Sequence, residues 1–444
     1  MSTAAEHPTV TATVRSMSST ARLLIVGVFV NNLTAFLNAF LVLFLVHRGF
    51  SAWHAGVALA ALLVGRVLGT AVGGAVADRI GYRWTIVGSM GTGAVLIVAL
   101  VHAPTAWLAV LVAAASGLVL QAHVPATTAW LVELTPKNQQ VMVFAINRLA
   151  FNVGATVGPL VAALLIAYSY RLLFYADAAA SLAFCVIALV LLPADRARGG
   201  AAAAADSADA ADSRSGYRTV LADTRFMLVV AGLFCTAVAY IQMSATLPLF
   251  VTGTGHSERV YALLLSVNGF VVIALEVLLS KWTQRLPVGL PMATGMALLG
   301  IGHLLYLPSG GVSLLVVATA VWTLGEVVAA PSMMAYPGLV APADLRGRYI
   351  AAATVPQQVG YALGPILGVV AWQLWGSTVW VITAAFAGLA TVLVLAGAGV
   401  RPVVERPEPD AGPRPDAEPQ PGEPQSGEPR PAGDRLPAGE AGAP

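Results

Sequence analysis

Twelve stretches of this 444-residue chain are each apolar and long enough to cross a lipid bilayer, and that limits the fold more than any other feature. A spanning helix needs roughly 20 mostly apolar residues, and it satisfies every backbone group internally where no water is present. The first six stretches lie near 22–46, 55–77, 84–102, 106–131, 141–168 and 172–193. The second six lie near 225–251, 260–280, 288–307, 312–334, 349–372 and 376–400. Helices packed on a soluble core keep a polar face, and these are apolar all round. Spanning barrels need short alternating strands, which the sequence lacks. Charged residues make up 10% of the chain, against about 25% in soluble domains. The expected fold class is therefore an all-α integral membrane protein with 12 transmembrane helices. A net charge of +2 gives no case for nucleic acid as a partner; the lipid bilayer is the expected one. Cys185 and Cys235 both fall inside apolar runs, so they read as neither a disulfide framework nor a zinc site.

Lysine and arginine set the expected orientation. One set of loops holds only Arg48, Arg171 and Arg259. The other side holds Arg15, Arg22, Arg79, Arg83, Lys137, Arg196, Arg198, Arg214, Arg218, Arg225, Lys281, Arg285, Arg346 and Arg348. Both termini are expected on that basic, cytoplasmic side of a cell membrane, which an even number of spans requires. Residues 1–20 are polar and carry one arginine, Arg15, and the first apolar run is too long for the apolar core of a cleaved signal.

The chain divides into an N-terminal tail (1–21), six spans (22–193), an Ala- and Asp-rich linker (194–224), six more spans (225–400) and a tail (401–444). That last tail holds twelve prolines and nine acids against five arginines, a composition that buries no core and reads as disordered. The two sets of six spans repeat one another. Pro125 pairs with Pro331, Pro136 with Pro342, Gly154 with Gly360, Gly158 with Gly364 and Pro159 with Pro365, all at an offset of 206. Rigid and small residues recurring at one spacing mark an internal duplication. Two six-helix units with the same polarity are then related by an axis along the membrane normal.

Between spans two and three stands Gly74-Ala-Val-Ala-Asp78-Arg79-Ile-Gly81-Tyr82-Arg83. This resembles the G-x-x-x-D-[RK]-x-G-[RK]-[RK] loop signature of the major facilitator superfamily, with Tyr82 where a basic residue is usual. A glycine at 74 is expected to let helices approach closely. Asp78 can face the positive end of a neighbouring helix dipole. The resemblance implies that Asp78, Arg79, Gly81, Arg83 and the candidate partner Glu133 form a gating latch in the outward-facing state. The second copy keeps only Arg285 in place of Arg79. In span five, Gly154-Ala-Thr-Val-Gly158-Pro159 is similar to the antiporter signature of the drug:proton branch of that family. Because Gly360, Gly364 and Pro365 repeat it in span eleven, the six residues are also expected to be a symmetric hinge. Val112 occupies the region where the family usually has a basic residue in span four.

In this family spans 1, 4, 7 and 10 line a central cavity and spans 2, 5, 8 and 11 flank it. Ionisable groups inside spans cost about 2.5–3.5 kcal/mol or more and need an account. Glu326 in span ten is the first candidate for proton coupling, since a carboxylate in a dehydrated cavity can exchange a proton near neutral pH. Asp177 and His123 are further proton candidates, each with a structural reading beside it: a cap or brace for Asp177, hydrogen-bonded packing for His123. Arg148 is expected to pair with Glu326 or to bind an anionic group. Arg66 reads as a structural or gating partner, and Glu276 as a partner of Lys281. The uncharged cavity candidates are Asn31, Asn32, Asn38, Gln121, Asn152, Tyr240, Gln242 and Trp322. Aromatics there, with Phe36 and Tyr336, could form an amphipathic pocket, although each alone reads equally as packing.

No G-x-x-x-x-G-K-[ST], H-E-x-x-H or G-x-S-x-G is present, so no enzyme, cofactor or metal is expected. The resemblance implies a monomeric secondary transporter that exchanges protons for a small amphipathic organic substrate moving outward. A proton-linked or facilitative importer is the alternative, and a membrane sensor or scaffold that lost transport a remote one.

Overall fold

Side-chain caps satisfy the first free backbone amides of five spans. Ser18, Thr105, Ser169 and Asp223 accept a hydrogen bond from an amide of the first helical turn, opening spans one, four, six and seven. Ser51 does the same for span two, accepting from the amide of His54. The computed structural model describes residues 15–136, 139–193, 218–283, 285–342 and 345–399. Lys137, Arg196, Arg198, Arg214, most of the linker and the tail from 401 lie outside them. All regular structure among the described residues is helical.

The twelve expected spans are all found, within a few residues of their expected limits. Span one is Ser19–Leu33 followed by Phe36–His47; span two Ala52–Ile80; span three Tyr82–His102. Span four is Ala106–Gln121 followed by His123–Leu134; span five Gln140–Ile166; span six Tyr170–Val190. Span seven is built from Thr224–Tyr240, Gln242–Ala245 and Leu247–Gly253. Spans eight to twelve are Glu258–Thr283, Gly289–Leu304, Val312–Val340, Arg346–Trp375 and Val379–Ala398. Gly81, at φ 90°, makes the tight turn from span two to span three, a conformation only glycine adopts without strain.

The two halves pack as pseudo-symmetric six-helix bundles. Span one lies on span five, and span seven on span eleven; span three lies on span six, and span nine on span twelve. Span two crosses to span eleven and span five crosses to span eight, and these two contacts between halves are images of each other under the duplication; spans one and seven also touch.

The buried apolar residues fall into three clusters whose arrangement positions the site. One cluster joins both halves on the side away from the basic loops, from Phe36–Leu45 of span one to Tyr261 of span eight and Trp380 of span twelve. The other two lie on the basic side, one inside each half. The first includes Leu24, Met90, Trp130 and Phe184. The second includes Phe226, Met292, Tyr336 and Tyr349. Tyr336, expected as a pocket aromatic, stacks on Phe226 within the second cluster.

One expectation needs correction. A Cβ at Gly74 would meet nothing within 4 Å, so that glycine is not a close-approach site here; Gly65, Gly69 and Gly73 are, each against the backbone of span four. The Gly-Pro pairs lie within continuous helices: spans five and eleven run through Pro159 and Pro365. The interruptions lie on their partners, spans one and seven. A Cβ at Gly154 would lie 3.0 Å from the Leu33 amide nitrogen, and one at Gly158 would lie 2.8 Å from the Leu33 carbonyl oxygen. Likewise one at Gly360 would lie 2.7 Å from the Phe234 carbonyl oxygen, and Gly364 faces Val238 and Ile241. These glycines let a continuous helix lie against a broken one.

Candidate functional site: a chamber between two broken-helix bundles

Three spans are interrupted at membrane depth, and side chains hold them there, as an apolar surround requires. In span one the chain breaks at Thr34 and Ala35, and Asp177 of span six accepts a hydrogen bond from the Leu37 amide at 3.1 Å. Asp177 is buried and caps the restarted helix. In span four the break follows Gln121. Ser89 of span three donates to the Val119 carbonyl, and His123 Nδ1 sits within bonding distance of the Leu120 carbonyl. In span seven the fully buried Gln242 donates to the carbonyls of Val238 (2.7 Å) and Gly364 (2.9 Å) and accepts from Thr246 Oγ1 (2.7 Å). Gln242 was expected to line the cavity; it braces the broken span instead.

Between these breaks lies the chamber. A cavity of about 330 Å³ spans both halves and is lined by Asn32, Asn38, Arg66 and Asn152 from one half and by Tyr240, Asn268 and Glu326 from the other. It connects through shared lining residues to two others. One, of about 270 Å³, lies within the N-terminal half and includes Asn31, Asn32, Gln121, His123 and Asp177. The other, of about 240 Å³, lies within the C-terminal half and includes Tyr240, Met296, Met333, Glu326 and Tyr361.

Glu326 is the carboxylate that faces the shared chamber. Tyr240 donates its hydroxyl to Oε1 at 2.9 Å, and Asn268 of span eight donates its amide to Oε2 at 3.0 Å and reaches Thr323 Oγ1 at 3.1 Å. Tyr240 is met edge-on by Trp322 and by Tyr361, each with centroids 6.1 Å away. Trp322 itself is buried behind Tyr240 and donates its indole N–H to the Tyr306 hydroxyl at 3.0 Å. Its expected place in the cavity wall is therefore taken by Tyr361. Asn268 and Tyr361 were missed from the sequence; a lone amide within the apolar run of span eight was the available signal for the first.

Arg148 does not pair with Glu326. It forms an ion pair with Glu276 of span eight, and the Asn152 amide lies 3.5 Å from the same carboxylate. This joins the two halves on the basic side, with Arg148 62% exposed and Glu276 18% exposed. The pairing follows from helix register. Arg148 is two turns from the basic end of span five, level with Glu276 and below Glu326.

Asn31 reaches Ser181 Oγ at 3.4 Å, and Asn32 donates to the Val28 carbonyl at 2.8 Å. His123 is met edge-on by Phe184 at 5.8 Å. In the loop signature, Asp78, Arg79 and Glu133 are exposed. Arg83 donates to the carbonyls of Ala188 and Leu189, so it caps the end of span six, and Tyr82 packs on Trp130.

A twelve-span duplicated bundle with a polar chamber at its midplane describes many transporters, and the sequence comparison decides among them. The profile of the Major Facilitator Superfamily matches residues 23–365 and 252–432 in two overlapping segments. This chain belongs to that superfamily. It is thus a multi-pass membrane protein and a transporter by family. It is 24% identical over 340 residues to the uncharacterized MFS-type transporter YqjV of Bacillus subtilis, covering 74% of this chain and 80% of the relative. It is 26% identical over 332 residues to the multidrug resistance protein MdtH of Klebsiella pneumoniae, covering 72% and 78%. A Na(+), Li(+), K(+)/H(+) antiporter of Planococcus maritimus is 24% identical over 378 residues, covering 77% and 87%. Among solved structures, a mutant of the nucleoside transporter NupG superposes with a TM-score of 0.70 at 15% identity, covering 85% of this chain and 99% of that one. A D-xylose-proton symporter gives 0.65 at 16% identity, covering 86% and 98%. At those identities the structural likeness speaks for the fold.

Proposed function

We propose that this superfamily member is a proton-coupled exporter of small amphipathic organic compounds in the cell membrane of a prokaryote, with Glu326 as the proton-exchanging group. The observation that carries the reading is the position of that carboxylate. It sits at the wall of a chamber shared by both halves, on a hydrogen-bonding pair, Tyr240 and Asn268, that can hold it with or without a proton. A carboxylate desolvated there binds either a proton or a cationic or polar group of a substrate, and that competition is the chemistry of exchange. The apolar part of a substrate finds Met296, Met333 and Tyr361 in the neighbouring cavity. Relatives named as a multidrug resistance protein and as a cation/proton antiporter favour the same reading.

One apolar cluster shared by both halves closes the chamber on the side away from the basic loops, and we therefore take its opening to be on the basic side, the cytoplasmic one on the expected orientation. Substrate enters from that side, and a rocking of the bundles opens the other. Arg148–Glu276 acts as a tether between halves, and the Gly74–Arg83 loop engages when the basic side closes. One proton moving down about 100 mV supplies roughly 2.3 kcal/mol, a concentration ratio of about fifty for an electrically driven exchange.

The test is Glu326→Gln in proteoliposomes loaded with an amphipathic dye. A proton gradient should drive dye movement in the unmodified protein and not in the variant, while dye–dye exchange persists in both. Proton-driven movement at an unchanged rate in Glu326→Gln would refute the assignment. Comparing the two vesicle orientations reads the direction.

A further inference from the structure

Arg66 is a charge at membrane depth whose one hydrogen-bonding side-chain partner is neutral. Its Nε donates to Gln121 Oε1 at 2.9 Å, and among the described residues it takes part in no ion pair. A charge placed at that depth is retained only where something compensates it. With Nε held by Gln121, the two terminal nitrogens remain free. They form the fork that matches a carboxylate or similar oxyanion in two parallel hydrogen bonds. Three residues lining the same cavity carry a buried side-chain oxygen with no partner among the described residues: Asn38 Oδ1, Thr127 Oγ1 and Asn147 Oδ1. Folded proteins leave few such atoms. The three come from spans one, four and five, and they call for N–H or O–H groups. The cavity, about 270 Å³, is of a size to take the head of a molecule while the larger shared chamber takes the rest.

We propose that the cavity of the N-terminal half is a head-group subsite for a carboxylate bearing adjacent N–H or O–H donors, with Arg66 binding the carboxylate. The inference rests on the transport reading and narrows it. The exported compound carries an acidic, hydrogen-bonding end read by the N-terminal half, and an apolar or basic end read beside Glu326. Arg66 and Glu326 both line the shared chamber, so it has a cationic group on one wall and an acidic group on the other. A zwitterionic amphiphile matches that pattern, and its cationic end still competes with the proton at Glu326, as exchange requires.

The experiment uses the full-length protein purified in detergent and reads the thermal unfolding midpoint against three probes of one shape. Phenylalanine carries the carboxylate and the donor, 3-phenylpropanoate lacks the donor, and phenylalaninamide lacks the carboxylate. Phenylalanine should raise the midpoint most, 3-phenylpropanoate less, and phenylalaninamide least, since only its ammonium and ring find partners, beside Glu326. In Arg66→Gln the apparent affinity for phenylalanine should fall at least about tenfold, the loss of a charged hydrogen-bond pair. Arg66→Lys keeps the charge without the fork and should fall between. Equal shifts from the amide and the acid, no shift from either carboxylate up to its solubility limit, or an Arg66→Gln protein with undiminished affinity would each overturn the proposal. The probe comparison on the unmodified protein decides even if Arg66→Gln does not fold. Glu326→Gln should bind the carboxylates at least as well as the parent. If Glu326→Gln keeps proton drive while the carboxylate preference holds, the coupling assignment falls and the head-group subsite stands; the reverse pattern removes only the subsite.

Discussion

Gly73 and Gly74 are neighbours on span two, yet the structure assigns them opposite responses to one added methyl group. At Gly73 a Cβ would lie 2.6 Å from Ala122 Cα and 2.9 Å from its carbonyl carbon. Both are backbone atoms of span four, beside its interruption, so no side-chain rotation relieves the clash and the two helices must separate. Overpacking of that kind costs about 1–3 kcal/mol. At Gly74 nothing lies within 4 Å, so alanine only gains the helix propensity that glycine lacks, about 1 kcal/mol. That gain is common to both positions and cancels in the comparison. The expected gap between Gly73→Ala and Gly74→Ala is therefore about 1–3 kcal/mol, with Gly74→Ala the more stable. The assay is the apparent Tm of both purified variants in one detergent at one scan rate, since unfolding of such proteins is commonly irreversible. Equal midpoints, or a lower one for Gly74→Ala, would contradict the reasoning. A Gly74→Leu protein that keeps its midpoint but no longer transports would assign the signature glycine to a contact made only when the basic side closes.

Two further outcomes follow from the contacts between halves. Because Arg148 is largely exposed, a double-mutant cycle with Glu276 should give a coupling below about 1 kcal/mol. Transport should nevertheless fall in Arg148→Glu and partly return on adding Glu276→Arg; no recovery would remove the tether role. Tyr261 of span eight meets Phe40 edge-on at 5.4 Å and has its hydroxyl 2.8 Å from the Ala39 carbonyl of the other half, inside the shared seal. Tyr261→Ala should raise labelling of a cysteine placed at Asn38 from the sealed side by about tenfold, given a differential cost near 1.4 kcal/mol between the two states. Unchanged labelling would mean that the seal does not depend on this residue.

The spans were legible because membrane-depth helices announce themselves by length and polarity, and the duplication because its markers are prolines and glycines that nothing else replaces. What Gly154 and Gly360 do was not legible. A Gly-Pro pair reads as a bend in its own helix, but the helices that break are the ones opposite, spans one and seven, where Asp177 and Gln242 satisfy the freed backbone groups. Such bracing is tertiary, so no spacing within one span reveals it. The same limit explains Arg148. Its distance along the chain from Glu276 and Glu326 says nothing about depth, and depth decides the pair. Glu326 stood out because a carboxylate is expensive in an apolar run, whereas Asn268 and Tyr361, which complete its surroundings, carry no such penalty and stay inconspicuous.

The two sides of the chamber are bounded by different chemistry, and this bears on how a proton could drive the cycle. On the sealed side the halves share one continuous apolar cluster, whose burial is insensitive to charge. On the basic side each half has its own core, and the contact between them is polar and ionic: Arg148 with Glu276 and Asn152. A change of charge in the chamber therefore acts unequally on the two closures. On the proposed coupling, losing a proton at Glu326 leaves a carboxylate held by Tyr240 of span seven and Asn268 of span eight, so its charge state bears on the packing of spans seven, eight and ten. Gaining one removes a charge facing Arg66 across the chamber. A ligand or proton shifts a two-state equilibrium only by its differential affinity for the two states. The groups able to supply that difference are gathered around the chamber and on its basic side, and the apolar seal opposite sets the fixed energy against which they work.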